Sequence, residues 1–460
     1  MKLPNTLSMS PLEQLINWIA RPYDFLDDCA RSYGDTFTVR IMGMPPLVML
    51  SDPQGISNIF STDTKHFDAG KINEYLKAFS GNNSLVILDG DRHKRERKML
   101  MPPFHGEKVK SYSKIICQVT EQVASKWQPH QPFLASKAMQ EITLEVILHT
   151  VFGLSKGERY QQIKPLLTNL WELTGSPLGA SLLFFPILQQ DWGAWSPWGK
   201  LVCQRQQICD LLQAEIDQRR RQSQINGNDV LSLMLLARDE QGQPMTDIEL
   251  QDELITMLLV GYETTATALT WALYWIHKLP VVKDKLLQEL DSQRNNPEPL
   301  AITRLPYLTA VCNESLRIYP VAPTAFPRRS RISVEIAGQR FAPKTWLVPC
   351  IYLVHRREDI YPEAKQFKPE RFLERQFSSA EFIPFGGGNR RCLGYALAML
   401  EMKLVLATLM FKYELTLAHK TPEQPSRRGV TMAPANGVKM ILTGERVREQ
   451  KQAFLSVDNK

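Results

Sequence analysis

Hydrophobic and polar residues alternate with the two-residue period of β-strands in two parts of the chain. Between 36 and 51 the pattern predicts two short strands, TFTVRI and PLVML, joined by a turn at Met44-Pro45-Pro46. A second β-rich stretch covers 332–352, where Gly338 and Pro343 interrupt the β-branched residues. Almost everything else has the helical period, for example 110–127, 141–152, 201–221 and 393–413. The pattern predicts a mainly α fold with a small β region, and no Pro/Gly/Ser linker divides 1–460, so we expect a single domain.

The longest helical pattern covers about 246–278. Thr246 and Glu249 match a capping box, in which two residues cap each other at a helix start. A helix of this length spans roughly 48 Å, and from Ile255 onward it is apolar on nearly every face, which is typical of a helix in the core. Its middle reads GYETT, at 261–265. Either these residues form a satisfied buried polar cluster, or a polar or reactive group lies against the helix there.

The composition is that of an ordinary globular protein, with 43% hydrophobic and 22% charged residues. It excludes a disordered tail protein, a collagen-like repeat and a coiled coil. A net charge of +7 over 460 residues is small and gives no support for nucleic-acid binding. The seven cysteines are scattered without a C-x-x-C pair, which suits a compartment where thiols stay reduced. No stretch reaches the 18 or so consecutive apolar residues of a membrane span, so we expect a cytoplasmic, unanchored protein.

One cysteine, Cys392, lies in the glycine-rich loop FGGGNRRCLG at 385–394, directly before a predicted helix. Such a loop can bind phosphate, but neither G-x-x-x-x-G-K-[ST] nor G-x-G-x-x-G is present. A flexible turn around a packed cysteine is a second possibility. A metal ligand is the third, because a helix N-terminus with Arg390 and Arg391 nearby lowers the pKa of a thiol. A single thiolate beside open space suits haem iron better than tetrahedral zinc.

The loop matches the F-x-x-G-x-R-x-C-x-G signature of the cytochrome P-450 family, the haem-thiolate monooxygenases. Its five fixed positions are filled by Phe385, Gly388, Arg390, Cys392 and Gly394. Five fixed letters arise by chance roughly once in ten thousand chains of this length, so the signature is specific.

The family's other motifs occur in the family's order. They are G-x-[DE]-T at 261–264, E-x-x-R at 314–317 and P-E-R-F at 369–372. One departure is Val260, because the family usually has alanine or glycine at this position. The larger side chain affects how a substrate would fit. The chain therefore resembles the family over about 20–443, and we expect the ends, 1–19 and 444–460, to be loosely ordered.

The resemblance implies the P-450 fold, with the long helix crossing a haem b whose axial ligand is the Cys392 thiolate. Glu263 and Thr264 resemble the acid–alcohol pair that relays protons toward dioxygen through water. The cations that hold the haem propionates are, by similarity, His93, Arg97, Arg328 and Arg390, and Arg329 is a close rival to Arg328. Glu314, Arg317 and Arg371 resemble the family's buried ion-pair triad, which holds the cysteine loop and has no catalytic role.

The resemblance also places substrate contacts at about 67–86, 259–263, 321–326 and 434–438. These segments are mainly apolar, which is consistent with a lipophilic substrate. An aromatic stretch, Ser181-Leu182-Leu183-Phe184-Phe185-Pro186 with Trp192, Trp195 and Trp198, is either core or an access lid that touches a membrane surface.

The chain has no flavin or iron–sulfur motif, so electrons are expected from a separate donor, a ferredoxin with its reductase. Surplus cations on the cysteine side of the haem would attract an acidic donor. The overall pattern is similar to the soluble bacterial and cyanobacterial-like branch that hydroxylates long-chain fatty acids, with terpenoids and retinoids as the next candidates. We expect a monomer. Two alternatives stay open: the same fold used as a peroxygenase or isomerase, and a non-enzymatic haem sensor.

Overall fold

The computed structural model describes residues 3–154, 157–175, 189–193, 195–222, 227–293 and 298–446. Helices make up most of this part of the chain, as the periodicity predicts. In chain order they are α1 (Pro11–Ala20), α2 (Pro22–Tyr33), α3 (Pro53–His66), α4 (Lys77–Ser80), α5 (Gly90–Leu100), α6 (Gly106–Ser111), α7 (Ser113–Ala124), α8 (Ala135–Phe152), α9 (Glu158–Gly175), α10 (Pro197–Arg220), α11 (Val230–Leu236), α12 (Asp247–Lys278), α13 (Pro280–Asp291), α14 (Pro299–Ile302), α15 (Pro306–Ile318), α16 (Ile351–Val354), α17 (Arg371–Glu374) and α18 (Tyr395–Lys412).

The strands are short and form small sheets. They are β1 (Thr36–Val39), β2 (Leu47–Leu50), β3 (Phe67–Asp68), β4 (Pro132–Leu134), β5 (Arg328–Ser330), β6 (Val334–Ile336), β7 (Gln339–Phe341), β8 (Trp346–Pro349), β9 (Tyr413–Leu417), β10 (Pro425–Arg428), β11 (Thr431–Pro434) and β12 (Lys439–Glu445). Within the described residues, one sheet has the strand order β1-β2-β8-β5-β3, and a second has the order β4-β12-β9. The pairs β6-β7 and β10-β11 are two-stranded.

The two predicted β regions are confirmed, and strands from both regions share one sheet, whereas β6 and β7 of the second region form a separate pair. Strands β1 and β2 pair antiparallel, with Phe37 opposite Met49. Strand β2 then pairs in parallel with β8, which comes from the second predicted region. Both β1 and β2 are buried along their whole length, so their register is fixed by packing.

The expectation that almost everything else is helical is wrong for the C-terminal part of the chain. Strands β9 to β12 occupy most of 413–445, and β12 pairs with β9 and with the distant β4. These strands are short and their burial depends on remote partners, so a local period does not identify them. The predicted helix at 110–127 is also divided, into α6 and α7.

The start of the chain, for which the sequence predicts loose order, contains a capped helix. Ser10 and Glu13 form a capping box at the start of α1, with Pro11 in its first turn. Leu7 is buried, and Thr6 bridges to Thr38 in β1. The first turns are therefore held by caps and by the sheet. At the other end, β12 continues to Glu445, and 447–460 lie outside the described residues.

The central helix α12 is the predicted long helix, and its capping box is present. Thr246 accepts from the backbone N–H of Glu249 at 3.3 Å, and the Glu249 carboxylate accepts from the N–H of Thr246 at 2.8 Å. Most of its side chains between 250 and 276 are buried, against α8, α10, α15 and α18 among others. A Cβ on Gly261 would lie 2.2 Å from Cδ1 of Ile147 in α8. Close approach of two helices is therefore a packing reason for this glycine.

Candidate functional site

The loop that carries Cys392 is folded tightly in front of α18. The N–H of Cys392 donates to the carbonyl of Phe385 at 2.9 Å, which closes the loop on itself. Gly386 and Gly388 adopt positive φ angles of 64° and 61°, a backbone conformation that side-chain-bearing residues rarely adopt. The glycines of this loop are therefore needed for its shape. The loop ends at Gly394, directly before the first residue of α18.

The Cys392 side chain is exposed by accessible area, yet burial among protein atoms raises the pKa of its thiol. Both observations hold if its exposed surface faces a space enclosed by the protein. The N–H of Gly394 and the charges of Arg97 and Arg391 act in the opposite direction and lower the pKa. The sequence predicts a lowered thiol pKa. Positive charges that lower this pKa are present, but burial outweighs them. Of the two neighbouring arginines, Arg391 and not Arg390 is the one whose charge lowers the pKa of the Cys392 thiol.

One side of the middle of α12 is open although the turns around it are buried. Val260 is 51% exposed, and Gly261 and Thr264 are partly exposed. These positions are three and four residues apart, so they share one face of the helix. The Thr264 hydroxyl donates to the carbonyl of Val260 at 2.7 Å. This face presents one apolar side chain, Val260, and one hydroxyl, that of Thr264.

Glu263, the neighbour of Thr264, is buried on another side of the helix. Its carboxylate accepts a 2.7 Å hydrogen bond from the side-chain amide of Gln140 in α8. It also lines a cavity of about 10 Å³, together with Ser136, Thr267 and Arg428 among other residues. A volume of this order holds about one water molecule. The predicted acid and alcohol are therefore adjacent in sequence but face different surroundings.

The four predicted propionate partners lie in one cationic cluster, formed by His93, Arg97, Arg328 and Arg390. His93 is buried, and its Nδ1 lies 3.1 Å from the side-chain nitrogen of Asn389 in the cysteine loop. Burial, together with the charges of Arg390, Arg97 and Arg328, lowers the pKa of His93 to about 3. Because three guanidinium charges act on His93, the electrostatic potential around it is positive, and this potential favours the binding of an anion.

Arg328 is fully buried and mostly occupied by protein groups. Its Nε and Nη2 donate to the Asp63 carboxylate at 2.7 and 2.9 Å, and Nη2 also donates to the carbonyl of Gly387 at 3.0 Å. Its Nη1 donates to the carbonyl of Phe326 at 2.5 Å. Of the five N–H groups of an arginine, one on Nη1 is left without a partner in the described part of the chain. The rival Arg329 instead lies 5.8 Å from the ring of Trp346, away from the cluster.

The other two arginines are also held by the protein. Arg390 donates to the carbonyls of Leu85, at 3.0 Å, and Leu88, and to Asp89 at 2.5 Å. Burial lowers the pKa of Arg390 to about 10. Arg97 donates to the carbonyl of Arg391 at 2.8 Å. Three guanidiniums thus share two carboxylates, Asp63 and Asp89, and the cluster keeps an excess of positive charge.

The predicted ion-pair triad is present and fully buried around Glu314. Arg317 donates to both carboxylate oxygens of Glu314, at 2.7 and 2.8 Å, and Arg371 donates at 3.2 Å. Arg317 also donates to the carbonyls of His355, Ala364 and Gln366. The triad therefore ties α15 to the segments that precede the cysteine loop.

The predicted substrate segments supply several exposed apolar side chains. Phe326 is 38% exposed, so it is exposed as Val260 on α12 is, and Val321 and Ala322 are partly exposed. Phe67 and Phe79 of the first segment are buried instead, so they belong to the core. In the aromatic stretch, 181–186 lie outside the described residues. Trp192 and Trp195 are 72% and 94% exposed, so they are surface residues and not core.

Three residues that the sequence does not single out, Asp63, Asp89 and Gln140, form hydrogen bonds with the predicted site residues. Asp63 and Asp89 each accept from an arginine of the cationic cluster, and Gln140 donates to Glu263. All three lie far from their partners in sequence and in no recognisable motif. An isolated acid or amide on a helix carries no local signal of its partner.

The residues present fit a haem. Cys392 offers one sulfur ligand, and in the described ranges no three His, Cys, Asp or Glu side chains converge as an alternative metal site. The cationic cluster has the charge to hold the two carboxylates of a haem. The exposed apolar residues suit its flat hydrophobic faces.

The comparisons with known proteins agree with this fit. The cytochrome P450 family model matches residues 4–441. A putative cytochrome P450 135B1 from Mycobacterium tuberculosis is 34% identical over 447 residues, covering 97% of this chain and 92% of the relative. A putative cytochrome P450 138 from the same organism is 30% identical, covering 96% of each. The structure of cyanobacterial CYP120A1 with retinoic acid bound superimposes with a TM-score of 0.84 at 22% identity, covering 96% of this chain and all of that one.

The chain belongs to the cytochrome P450 family. It is an oxidoreductase, a haem-thiolate monooxygenase that uses dioxygen, a redox partner and a lipophilic substrate. The likeness to CYP120A1 confirms the mainly α fold. Among the helices in the described ranges, none combines the length and the apolar character needed to cross a bilayer.

Proposed function

We propose that this monooxygenase inserts one oxygen atom of O₂ into a C–H bond of a long-chain fatty acid, with terpenoids and retinoids as the next candidates. The observation that carries the proposal is the Cys392 thiol, which has accessible surface although protein atoms surround it, and on which the charges of Arg97 and Arg391 act. The exposed apolar side chains of Val260 and Phe326 favour a lipophilic substrate and exclude water from it. Retinoic acid, the ligand in CYP120A1, also combines a carboxylate with a long apolar chain, and it is a useful test compound.

The proposal gives the residues of the site separate roles. Cys392 binds the iron of a haem b as a thiolate, and the cationic cluster holds the two propionates. When bound, the haem supplies the oxygen chemistry that no side chain provides. Thr264 presents its hydroxyl on the open face of α12, where it positions a proton donor. Glu263 holds a proton at the water-sized cavity and passes it toward Thr264 through water.

We infer that electrons come from a separate ferredoxin and its reductase. Arg391 is exposed beside Cys392, with its guanidinium 4.0 Å from the centre of the Tyr395 ring. An exposed cation at this position attracts an acidic donor to the cysteine side of the haem. The proposal includes a monomeric, single-domain enzyme in the cytoplasm.

A binding screen on the haem-loaded protein tests the substrate. Saturated fatty acids of increasing chain length, a set of terpenes, and retinoic acid are each titrated while the haem spectrum is recorded. The proposal expects fatty acids to convert the ferric haem from low spin to high spin, with an affinity that rises with chain length. A shift with terpenes alone, and none with fatty acids, would overturn the choice of substrate.

A turnover assay tests the reaction class. The protein is incubated with a fatty acid, a ferredoxin, its reductase and NADPH, and the products are analysed by mass spectrometry with ¹⁸O₂. The proposal expects one labelled oxygen in the product. Product formation from hydrogen peroxide alone would indicate a peroxygenase, rearrangement without labelled oxygen an isomerase, and haem binding without any product a sensor.

A further inference from the structure

Asp63 is a buried carboxylate at which three parts of the fold meet. It lies in α3 and is 5% exposed. It accepts from Nε and Nη2 of Arg328 at 2.7 and 2.9 Å, which brings in β5. It also accepts a hydrogen bond from the backbone N–H of Asn389 at 2.9 Å. Asn389 lies in the cysteine loop, three residues before the predicted iron ligand. The ion pair with Arg328 and the loop contact thus share one side chain.

The cysteine loop lies directly on α3 at this point. A Cβ on Gly387 would lie 2.2 Å from Cε2 of Phe60, and a Cβ on Gly388 would lie 2.6 Å from Oδ2 of Asp63. Arg328 completes the contact, because its Nη2 donates to the carbonyl of Gly387 at 3.0 Å. Both partners of one buried ion pair therefore form hydrogen bonds with the loop. Asp63 accepts from a backbone N–H of the loop, and Arg328 donates to a backbone carbonyl of the loop.

The ion pair between Asp63 and Arg328 also determines which N–H group of Arg328 is left to bind an anionic ligand. Asp63 fixes the plane of the guanidinium by binding two of its N–H groups side by side, a geometry that arginine favours with carboxylates. The Nη1 group keeps one N–H without a described partner, and its direction follows from that plane. Asp63 also compensates the buried charge of Arg328, which acts on both His93 and Arg390.

We propose that Asp63 is a positioning residue of the haem site. It sets the orientation of Arg328 toward a haem propionate, and it sets the position of the cysteine loop. This inference rests on the proposed role of Cys392 and of the cationic cluster. As a fixed negative charge beside the loop, Asp63 stabilises ferric relative to ferrous haem. Its loss leaves a buried guanidinium without its counter-charge, and this favours the ferrous state.

The test compares Asp63→Asn with a matched variant, Asp229→Asn. Asp229 is a largely buried acid that pairs with an arginine, Arg219, and that accepts a backbone N–H, from Ser232 at 3.0 Å. It caps α11 and contacts no described part of the cysteine loop. Both substitutions remove one charge from an ion pair that is mostly shielded from solvent, at nearly constant volume. They therefore separate a general loss of stability from an effect on the haem.

Two readouts on the haem-loaded full-length protein decide the outcome. The first is the midpoint potential of the ferric–ferrous couple, and the second is the rate at which the reduced CO complex loses its thiolate spectrum. We expect Asp63→Asn to have a more positive potential and a severalfold faster loss, while Asp229→Asn keeps both values of the wild type. Wild-type values for Asp63→Asn in both readouts would overturn the inference. A wild type without any thiolate spectrum would instead overturn the proposed function.

A double variant covers the case in which Asp63→Asn binds too little haem for potentiometry. In urea unfolding, Arg328→Gln in the same chain is expected to recover at least half of the stability lost, because it removes the charge left uncompensated. Arg219→Gln combined with Asp63→Asn is expected to add its own loss. Additive losses in both double variants would overturn the inference.

Discussion

The side-chain amide of Gln140 donates a 2.7 Å hydrogen bond to the carboxylate of Glu263, and this bond joins α8 to the middle of α12. It lies at the cavity of about 10 Å³ that Glu263 lines. The proposed proton carrier is thus oriented by a neutral partner from another helix.

Gln140→Leu removes this donor at similar volume. We expect the free energy of unfolding to fall by about 1–3 kcal/mol, because a buried carboxylate loses a hydrogen bond. We also expect slower product formation and a larger solvent isotope effect, because proton transfer becomes more limiting. Gln162→Leu is the control, since Gln162 donates to Glu158 on the surface of α9 at 3.1 Å. Equal isotope effects in the two variants would contradict the role of Gln140.

Gly261→Ala tests the close contact between α8 and α12. The added methyl group would meet Ile147 at 2.2 Å, so we expect a loss of about 1–3 kcal/mol in the free energy of unfolding from overpacking. Ile147→Ala alone is expected to cost about 2–5 kcal/mol through the cavity it leaves. In the double variant the new methyl group occupies part of that cavity, so the loss should be smaller than the sum. Strict additivity in urea unfolding would show that the two residues do not compete for space.

These contacts show where the sequence was informative and where it was not. The capping box at Thr246 and the signature around Cys392 are local patterns, so they predicted the long helix and the glycine-rich loop. The role of Gly261 depends on Ile147, in a helix far away in the chain, and the sequence offered only a polar or functional explanation for it.

The same difference appears in the cationic cluster. The sequence named His93 and Arg328 through their resemblance to the family, but it had no means to find Asp63. Partners such as Asp63 are fixed by tertiary packing, which brings α3, β5 and the cysteine loop together. The strands β9 to β12 were missed for a related reason, because their pairing is with one another and with β4.

Glu314→Ala tests the ion-pair triad. The substitution strands the buried charges of Arg317 and Arg371, so we expect the free energy of unfolding to fall by about 3–5 kcal/mol. The segments before the cysteine loop lose their anchor, and the purified protein should retain little haem. The measurement is the haem content per chain after gel filtration. Glu141→Ala breaks the exposed pair with Lys126 and should retain full haem content with a loss of about 0–1 kcal/mol. Full haem content in Glu314→Ala would contradict the account.

His277 predicts a change of stability with pH. Burial lowers the pKa of His277 from 6.5 to about 4, while its Nδ1 donates to the carbonyl of Leu273 at 2.8 Å. Between these two pKa values the unfolded chain binds a proton that the folded chain does not, so stability falls as the pH falls from 6.5 toward 4. His277→Gln removes this contribution and should flatten the pH dependence by at most about 1.4 kcal/mol per pH unit. Parallel stability curves for the two proteins across this window would contradict the prediction.

The absorption spectrum of the reduced, CO-bound protein tests the central claim most directly, because the position of its Soret band reports whether a thiolate binds the iron. Three proteins are compared: the wild type, Cys392→Ser, and Cys350→Ser, in which a buried free cysteine is replaced. The account predicts the long-wavelength thiolate band in the wild type and in Cys350→Ser, and its loss in Cys392→Ser. A wild type without this band, or a Cys392→Ser variant that keeps it, would contradict the account.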